Sequence, residues 1–120
     1  MSEEVLIEAS FLIPLRKDKE IGNGKLHPSD RWTFFQRKLY ITFEGWTLAP
    51  GVYQGCYKDP DTGQEIADFS YKYIHAVAKK DLDKLRELLR TECAVFRQKF
   101  IYFEAAGKVE LLEACYAKNL

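Results

Sequence analysis

Asp68, Ser70 and Lys72 are the residues whose types and spacing first suggest chemistry. They alternate along one predicted strand, so their side chains share one face of the sheet. Glu8 and Ser10 alternate in the same way on a strand that we expect beside it. If both sets lie on one face, a carboxylate whose pKa is raised by its neighbour would serve in binding or in acid–base catalysis. The alternative is an ordinary solvated or dimer-contacting sheet face, in which Lys72 neutralises Asp68.

The histidines and cysteines do not favour a metal site. His27 and His75 are the two histidines of the chain, and we expect them at opposite edges of the sheet. Cys56, Cys93 and Cys115 are odd in number, widely spaced and form no C-x-x-C pair, which is typical of reduced thiols in a cytoplasmic protein. We therefore predict no metal ion and no other cofactor.

Composition limits the classes of protein to consider. A chain of 120 residues with 47% hydrophobic content predicts a single domain over residues 1–120 with an ample core. The 18 basic residues equal the 18 acidic ones, so the basic excess of a nucleic-acid surface is absent. The longest apolar run is far short of a membrane span. The acidic start, Met1-Ser2-Glu3-Glu4, differs from the basic start of a signal peptide, and we predict a cytoplasmic protein.

The clearest local element is a hairpin around residues 59–63. Pro60 presets φ for a tight turn, Asp59 can bond its own backbone, and Gly63 accepts a positive φ. The flanking arms, residues 52–57 and 66–77, are rich in the β-branched and aromatic residues that strands favour. Two strands joined by this turn are therefore predicted.

Hydrophobic periodicity predicts the remaining elements. Residues 5–15 alternate as a strand does, with one face wholly apolar, and residues 99–105 form another strand. Two helices, beginning at Ser29 and at Asp81, carry apolar stripes at spacings of three and four. Residues 109–112 form either a short extra strand or a last helical turn.

The predicted order is β-α-β-β-α-β, which is the arrangement of ferredoxin-like α+β folds. Crossover handedness then predicts an antiparallel sheet with both helices on one face. The end of the first strand and the start of the third would share one edge of that sheet. Arg16, Tyr57, Asp68 and Gln98 lie at this edge, and a charged, Gly-rich loop over residues 16–28 leaves from it.

Five short motifs resemble those of a family of small bacterial domains of unknown function. The family motifs read G-x-T, G-x-W, D-x-D/G, E-x-S and F-x-Q. Their counterparts here are Gly45-Trp46-Thr47, Gly55-Cys56-Tyr57, Asp59-Pro60-Asp61, Asp68-Phe69-Ser70 and Phe96-Arg97-Gln98. The chain departs from the family at Tyr57, Asp68 and Arg97, where Trp, Glu and Gly are usual. The resemblance implies a ferredoxin-like fold and singles out these positions without naming a chemistry.

Two functional hypotheses of different class follow. The first is a non-enzymatic assembly or small-ligand-binding module that acts through its open sheet face. Two helices cover only one face of an aromatic-rich sheet, so we expect a homodimer. The second is a cofactor-free enzyme of the dimeric α+β-barrel type, in which two such sheets enclose a cavity. A pocket with Asp68 or His75 pointing into it would favour the enzyme.

If a small polar ligand binds, we predict that it does so at the edge described above. Asp68 would accept hydrogen bonds or a proton, beside the hydroxyl of Ser70. Gln98 would orient the ligand through its amide, Tyr57 would supply a wall with a polar tip, and Arg16 would neutralise an anionic group. The competing hypothesis is structural: Asp68 and Gln98 would instead satisfy backbone groups where the hairpin and the second helix end.

Overall fold

The computed structural model describes residues 4–115 of the chain. Six strands form where apolar and polar residues alternate, and two α-helices form where apolar residues recur every three to four positions. The elements are β1 (Leu6–Pro14), α1 (Ser29–Phe43), β2 (Thr47–Leu48), β3 (Tyr53–Lys58), β4 (Glu65–Ala78), α2 (Leu82–Val95), β5 (Phe100–Ala105) and β6 (Lys108–Glu113). A 3₁₀ turn at Lys79–Asp81 leads into α2. The ends of the predicted domain, residues 1–3 and 116–120, lie outside the described residues, and so does most of the acidic start.

All six strands belong to one antiparallel sheet in the order β2-β4-β1-β5-β6, with β3 also paired to β4. The predicted α+β class with an antiparallel sheet and two helices is confirmed, and it is compatible with a ferredoxin-like fold. The predicted element order is incomplete, because β2 and β6 are additional strands. Gly51 has a φ of 83° and separates β2 from β3, while Ala106 and Gly107, at 52° and 79°, form the tight turn into β6.

The core lies between the helices and one face of the sheet. Ala9, Phe11 and Ile13 of β1 are fully buried and pack with residues of both helices. The ring of Phe11 stacks on Tyr73 of β4 at 5.5 Å and meets Phe35 of α1 edge-on at 6.0 Å. Both helices therefore cover the same face. The opposite face, here called the open face, exposes large apolar side chains of β1, β5 and β6: Leu6, Tyr102, Val109 and Leu111.

The hairpin between β3 and β4 extends past the end of β1. β1 pairs with residues 70–78 of β4, so β3 is the only described strand that pairs with residues 65–69. The turn uses the predicted chemistry: the amides of Asp61 and Thr62 donate to Asp59 Oδ1, and Gly63 has a φ of 75°. This projecting half of the hairpin is available to form one wall of a site.

The loop between β1 and α1 is more ordered than its composition predicts. Arg16 and Leu26 form an isolated antiparallel bridge, and the amide of Lys17 donates to the carbonyl of Lys25 at 2.9 Å. A Cβ on Gly22 would lie 2.8 Å from the carbonyl oxygen of Asp18, so only glycine fits this close backbone approach. The loop folds back on itself and presents a defined surface to the hairpin.

Neither α1 nor α2 is long and apolar enough to cross a lipid bilayer, which holds for the residues that the structure describes.

Candidate functional site

A cleft of about 680 Å³ lies between the β1–α1 loop and the projecting half of the hairpin. This volume falls within the range of about 300–1,000 Å³ typical of small-molecule sites. Four of the five predicted site residues line it: Arg16, Tyr57, Asp68 and Gln98. Ser70 does not line it. The edge predicted from strand order is therefore the place where a cavity forms.

Asp68 is placed in the cleft by its register in the hairpin. It pairs with Gly55 of β3, and a Cβ on Gly55 would lie 3.0 Å from Asp68 Oδ1. The missing side chain at Gly55 leaves room for the carboxylate. Asp68 makes no hydrogen bond or ion pair with any other residue in 4–115, and burial raises the pKa of its carboxyl group. It is a carboxylate free to accept a proton or to bind a cation.

Tyr57 forms an aromatic wall beside Asp68. Its ring packs edge-on against Phe100 at 5.4 Å. Burial raises the pKa of the Tyr57 hydroxyl, and the negative charges of Asp18 and Asp68 raise it further, so the hydroxyl stays protonated. Tyr57 can therefore offer both an apolar ring face and a hydrogen-bond donor.

Gln98 supports the loop rather than a ligand. Its side chain is buried, and its Nε2 donates to the carbonyl oxygens of Arg16 at 2.7 Å and Phe96 at 3.0 Å. The structural hypothesis thus describes Gln98 well, whereas Asp68 satisfies no backbone group among the described residues. Arg16 itself is exposed at the cleft, and its Nη1 lies 3.4 Å from the carbonyl oxygen of Gly24.

Ser70 and Lys72 lie outside the cleft because of the strand register. Ser70 is buried between Pro14 of β1 and Tyr53 of β3, at the point where the three strands meet. Lys72 Nζ lies 5.5 Å from the centre of the Tyr53 ring and forms no ion pair with Asp68. The ion pair between Lys72 and Asp68, which was one of the two alternatives drawn from the sequence, is therefore not formed.

The polar residues expected on one sheet face divide between two cavities. A second cavity, of about 560 Å³, lies on the open face over β1, β4 and β5. Glu8, Ser10 and Lys72 line it together, as their alternation predicts, and Glu104 of β5 joins them. Asp68 belongs to the first cleft and not to this one.

Sequence reasoning missed Lys99, which carries the main charge cluster at the cleft. Its Nζ lies 2.6 Å from Glu20 Oε1, 2.8 Å from Asp61 Oδ2 and 3.1 Å from Asp59 Oδ1. Hydrogen bonds to Asp61 and Glu20 raise the pKa of Lys99 far above its ordinary value. The backbone amide of Asp61 and the Lys99 ammonium lower the pKa of Asp59. In the sequence, the acidic residues of the turn and the position of Lys99 next to Gln98 were the features that could have indicated its role.

The two histidines face the helix layer and not the cleft. His27 is buried and its Nε2 donates to the carbonyl oxygen of Pro14 at 3.0 Å. His75 is buried 5.3 Å from the ring of Phe43. Burial lowers the pKa of both imidazoles, to about 4 for His27, so both are neutral at pH 7.

Comparison with known proteins finds similarity at the level of structure. No protein-family model matches the chain, and no curated protein matches it. A phage SAM lyase in complex with S-methyl-5'-thioadenosine superposes with a TM-score of 0.72 at 14% identity, over 98% of each chain. A phage SAM lyase in the apo state gives 0.62 at 17% identity, over 93% of this chain and 92% of the other. At these identities the likeness establishes a shared fold.

These neighbours correct the functional hypotheses drawn from the sequence. The non-enzymatic module is contradicted, because both structures of the same fold are lyases, and the alternative of an enzyme is better supported. The resemblance to domains of unknown function also led to no chemistry, whereas the fold includes an enzyme of known activity.

Proposed function

We propose that the protein is a cofactor-free enzyme that cleaves SAM (S-adenosylmethionine) or a closely related sulfonium compound in the cleft between the β1–α1 loop and the hairpin. The observation that carries this proposal is Asp68, a partly buried carboxylate without a partner among the described residues, facing a cleft of about 680 Å³. The shared fold of a lyase bound to S-methyl-5'-thioadenosine supplies the substrate class.

The chemistry of such a substrate suits this cleft. A sulfonium is cationic, and when the bond from sulfur to the γ-carbon breaks, the electron pair passes to sulfur and leaves a neutral thioether. In one route, the substrate's own carboxylate oxygen bonds to the γ-carbon and a lactone forms. In the other route, the β-carbon loses a proton to a base, and the electron pair of that C–H bond forms a double bond between the β- and γ-carbons. Neither route needs a metal ion or a redox cofactor.

Each residue in the cleft has a role that follows from its environment. Asp68 binds the cationic part of the substrate, and in the alkene route its raised pKa suits it to accept the β-proton. Tyr57 provides an aromatic surface for the adenine ring. Arg16 pairs with the substrate carboxylate, and Gln98 holds the loop that carries Arg16.

The test is an assay of SAM cleavage by the purified protein, with S-methyl-5'-thioadenosine measured by chromatography. We expect the wild type to form this product and Asp68→Asn to lower the rate by about 100-fold or more. The melting temperature of Asp68→Asn should change little, because no hydrogen bond among the described residues is lost. Glu8→Gln, a carboxylate change in the open-face cavity, is the matched control and should retain activity.

Other outcomes separate the alternatives. Absence of both product and binding of SAM by the wild type would reject the proposed activity. Activity lost in Glu8→Gln but kept in Asp68→Asn would move the site to the open-face cavity. If Asp68→Asn instead lowered stability by about 1–3 kcal/mol without changing the rate, Asp68 would be a structural residue.

We further propose that the protein is a ferredoxin-like domain that forms a homodimer through its open face. β1, α1, β3, β4, α2 and β5 supply the β-α-β-β-α-β order, with β2 and β6 as additions. The exposure of Leu6, Val109 and Leu111 on the open face, at 63%, 52% and 56%, supports an interface there.

A further inference from the structure

We propose that Lys99 is a positioning residue that holds the two walls of the cleft together, through Glu20 on the loop and Asp59 and Asp61 on the hairpin. The inference rests on the proposed function in one respect, that this cleft is the active site. Glu20 and Asp59 line the cleft, whereas Lys99 is not one of its lining residues. Lys99 therefore acts through its partners and not on the substrate.

The cluster is built as a bridge. An ammonium group has three N–H donors, and here they face one carboxylate from the loop and two from the hairpin turn. The Lys99 side chain is 14% exposed and that of Asp59 is 5% exposed, so water screens the contact between these two less than it screens surface ion pairs. Glu20 and Asp61 are 44% and 65% exposed, and their contacts with Lys99 are screened more strongly.

The residues beside Lys99 also hold the loop, but they do not reach the hairpin. The carbonyl of Arg97 accepts from the amide of Asp18 at 2.9 Å, and Gln98 Nε2 donates to the carbonyl of Arg16. Three consecutive residues, 97–99, thus anchor the loop: Arg97 binds Asp18, Gln98 binds Arg16, and Lys99 binds Glu20. Within residues 4–115, only the third anchor, Lys99, also bonds the turn of the hairpin.

Hydrogen bonds and ion pairs between described residues tie the two walls at two points. At the base of the hairpin, the amide of Leu15 donates to the carbonyl of Phe69 at 2.8 Å. At the tip of the hairpin, Lys99 provides the tie. Without its ammonium, the carboxylate oxygens of Glu20, Asp59 and Asp61, which lie within 4.8 Å of one another, would repel. Loss of Lys99 would therefore remove an attraction and push the walls apart.

The test compares Lys99→Met with Lys38→Met. Lys38 is a matched control, because its Nζ lies 2.7 Å from the buried carboxylate of Glu92 and joins α1 to α2 away from the cleft. In Lys99→Met, amide hydrogen exchange in residues 16–26 should accelerate by about tenfold or more, equivalent to about 1.4 kcal/mol of opening free energy. In Lys38→Met it should stay at the wild-type rate.

Kinetics give a second readout. In Lys99→Met the KM for SAM should rise by about tenfold while kcat falls less, since the walls bind the substrate in both its ground and transition states. Lys99→Arg keeps the charge and should restore most of the wild-type KM and exchange rate. Lys38→Met should lower the melting temperature but leave the KM unchanged.

The possible failures are distinguishable. Exchange in residues 16–26 that is no faster in Lys99→Met than in Lys38→Met would overturn the role of Lys99, whatever the activity. A wild type that neither cleaves SAM nor binds S-methyl-5'-thioadenosine would overturn the proposed function. In that case, faster exchange in Lys99→Met would still establish the bridge between the walls.

Discussion

Replacing His27 with glutamine should make the stability of the protein less sensitive to acid. His27 is 7% exposed and lies between the rings of Trp32 and Phe96, whose centres are 5.6 and 4.9 Å away. Its Nε2 donates to Pro14, and its buried Nδ1 has no partner in the described part of the chain. Burial, together with the smaller effect of the charges of Lys17 and Arg31, lowers the pKa of His27 from 6.5 to about 4, although the hydrogen bond to Pro14 opposes the shift.

The size of the effect follows from proton linkage. As pH falls below 6.5, the imidazole of the unfolded chain takes up a proton while that of the folded protein stays neutral. The contribution of neutral His27 to the free energy of unfolding is therefore fully present above pH 6.5, and it is lost progressively as pH falls towards 4. At pH 5 the loss amounts to about 2 kcal/mol, and well below pH 4 it levels off at about 3 kcal/mol.

The assay is urea unfolding of the wild type and His27→Gln at pH 8 and pH 5. Glutamine retains an N–H donor for the carbonyl of Pro14 but does not titrate. Contributions from other groups whose pKa is shifted, such as His75 and Asp68, occur in both proteins and cancel in the difference. The wild type should lose about 2 kcal/mol more than the variant between the two pH values. Equal losses in both proteins would refute the burial of a neutral imidazole at this position.

Two further predictions concern assembly and the backbone. Light scattering at micromolar concentration should give a mass above the 14.0 kDa of one chain, and Leu111→Glu on the open face should reduce it to the monomer. A monomeric wild type would contradict the predicted homodimer. Arg97→Gly should raise the free energy of unfolding by about 0.5–1 kcal/mol, because Arg97 has a φ of 53°, which strains a residue with a Cβ. A lower melting temperature for Arg97→Gly would count against this reasoning.

The sequence alone determined the elements whose causes are local. The turn at 59–63 forms as predicted, because Pro60, the Asp59 side chain and Gly63 act on backbone groups only a few residues away. The predicted apolar stripe of α2 also has a local cause: Leu85 and Leu89 are fully buried because the helical period places them on one face. The predicted order of strands and helices also indicated the edge of the sheet at which the cleft lies.

Tertiary structure decided everything that depends on register and on distant neighbours. Ser70 and Asp68 are two positions apart on one strand, yet β1 ends between them, so Ser70 is buried in the sheet and Asp68 faces the cleft. The sequence left residues 109–112 open between strand and helix, and pairing with β5 decided for a strand.

The role of each polar side chain likewise depended on what surrounds it. Gln98 and Asp68 have equal standing in the sequence, but folding gives the amide of Gln98 two backbone carbonyls and leaves the carboxylate of Asp68 without a partner among the described residues. Lys99 shows the same dependence, since its partners Asp59 and Glu20 are 40 and 79 residues away in the chain. A sequence pattern carries propensities over a few residues, whereas the desolvation and charge pairing that define a site come from segments brought together only by the fold.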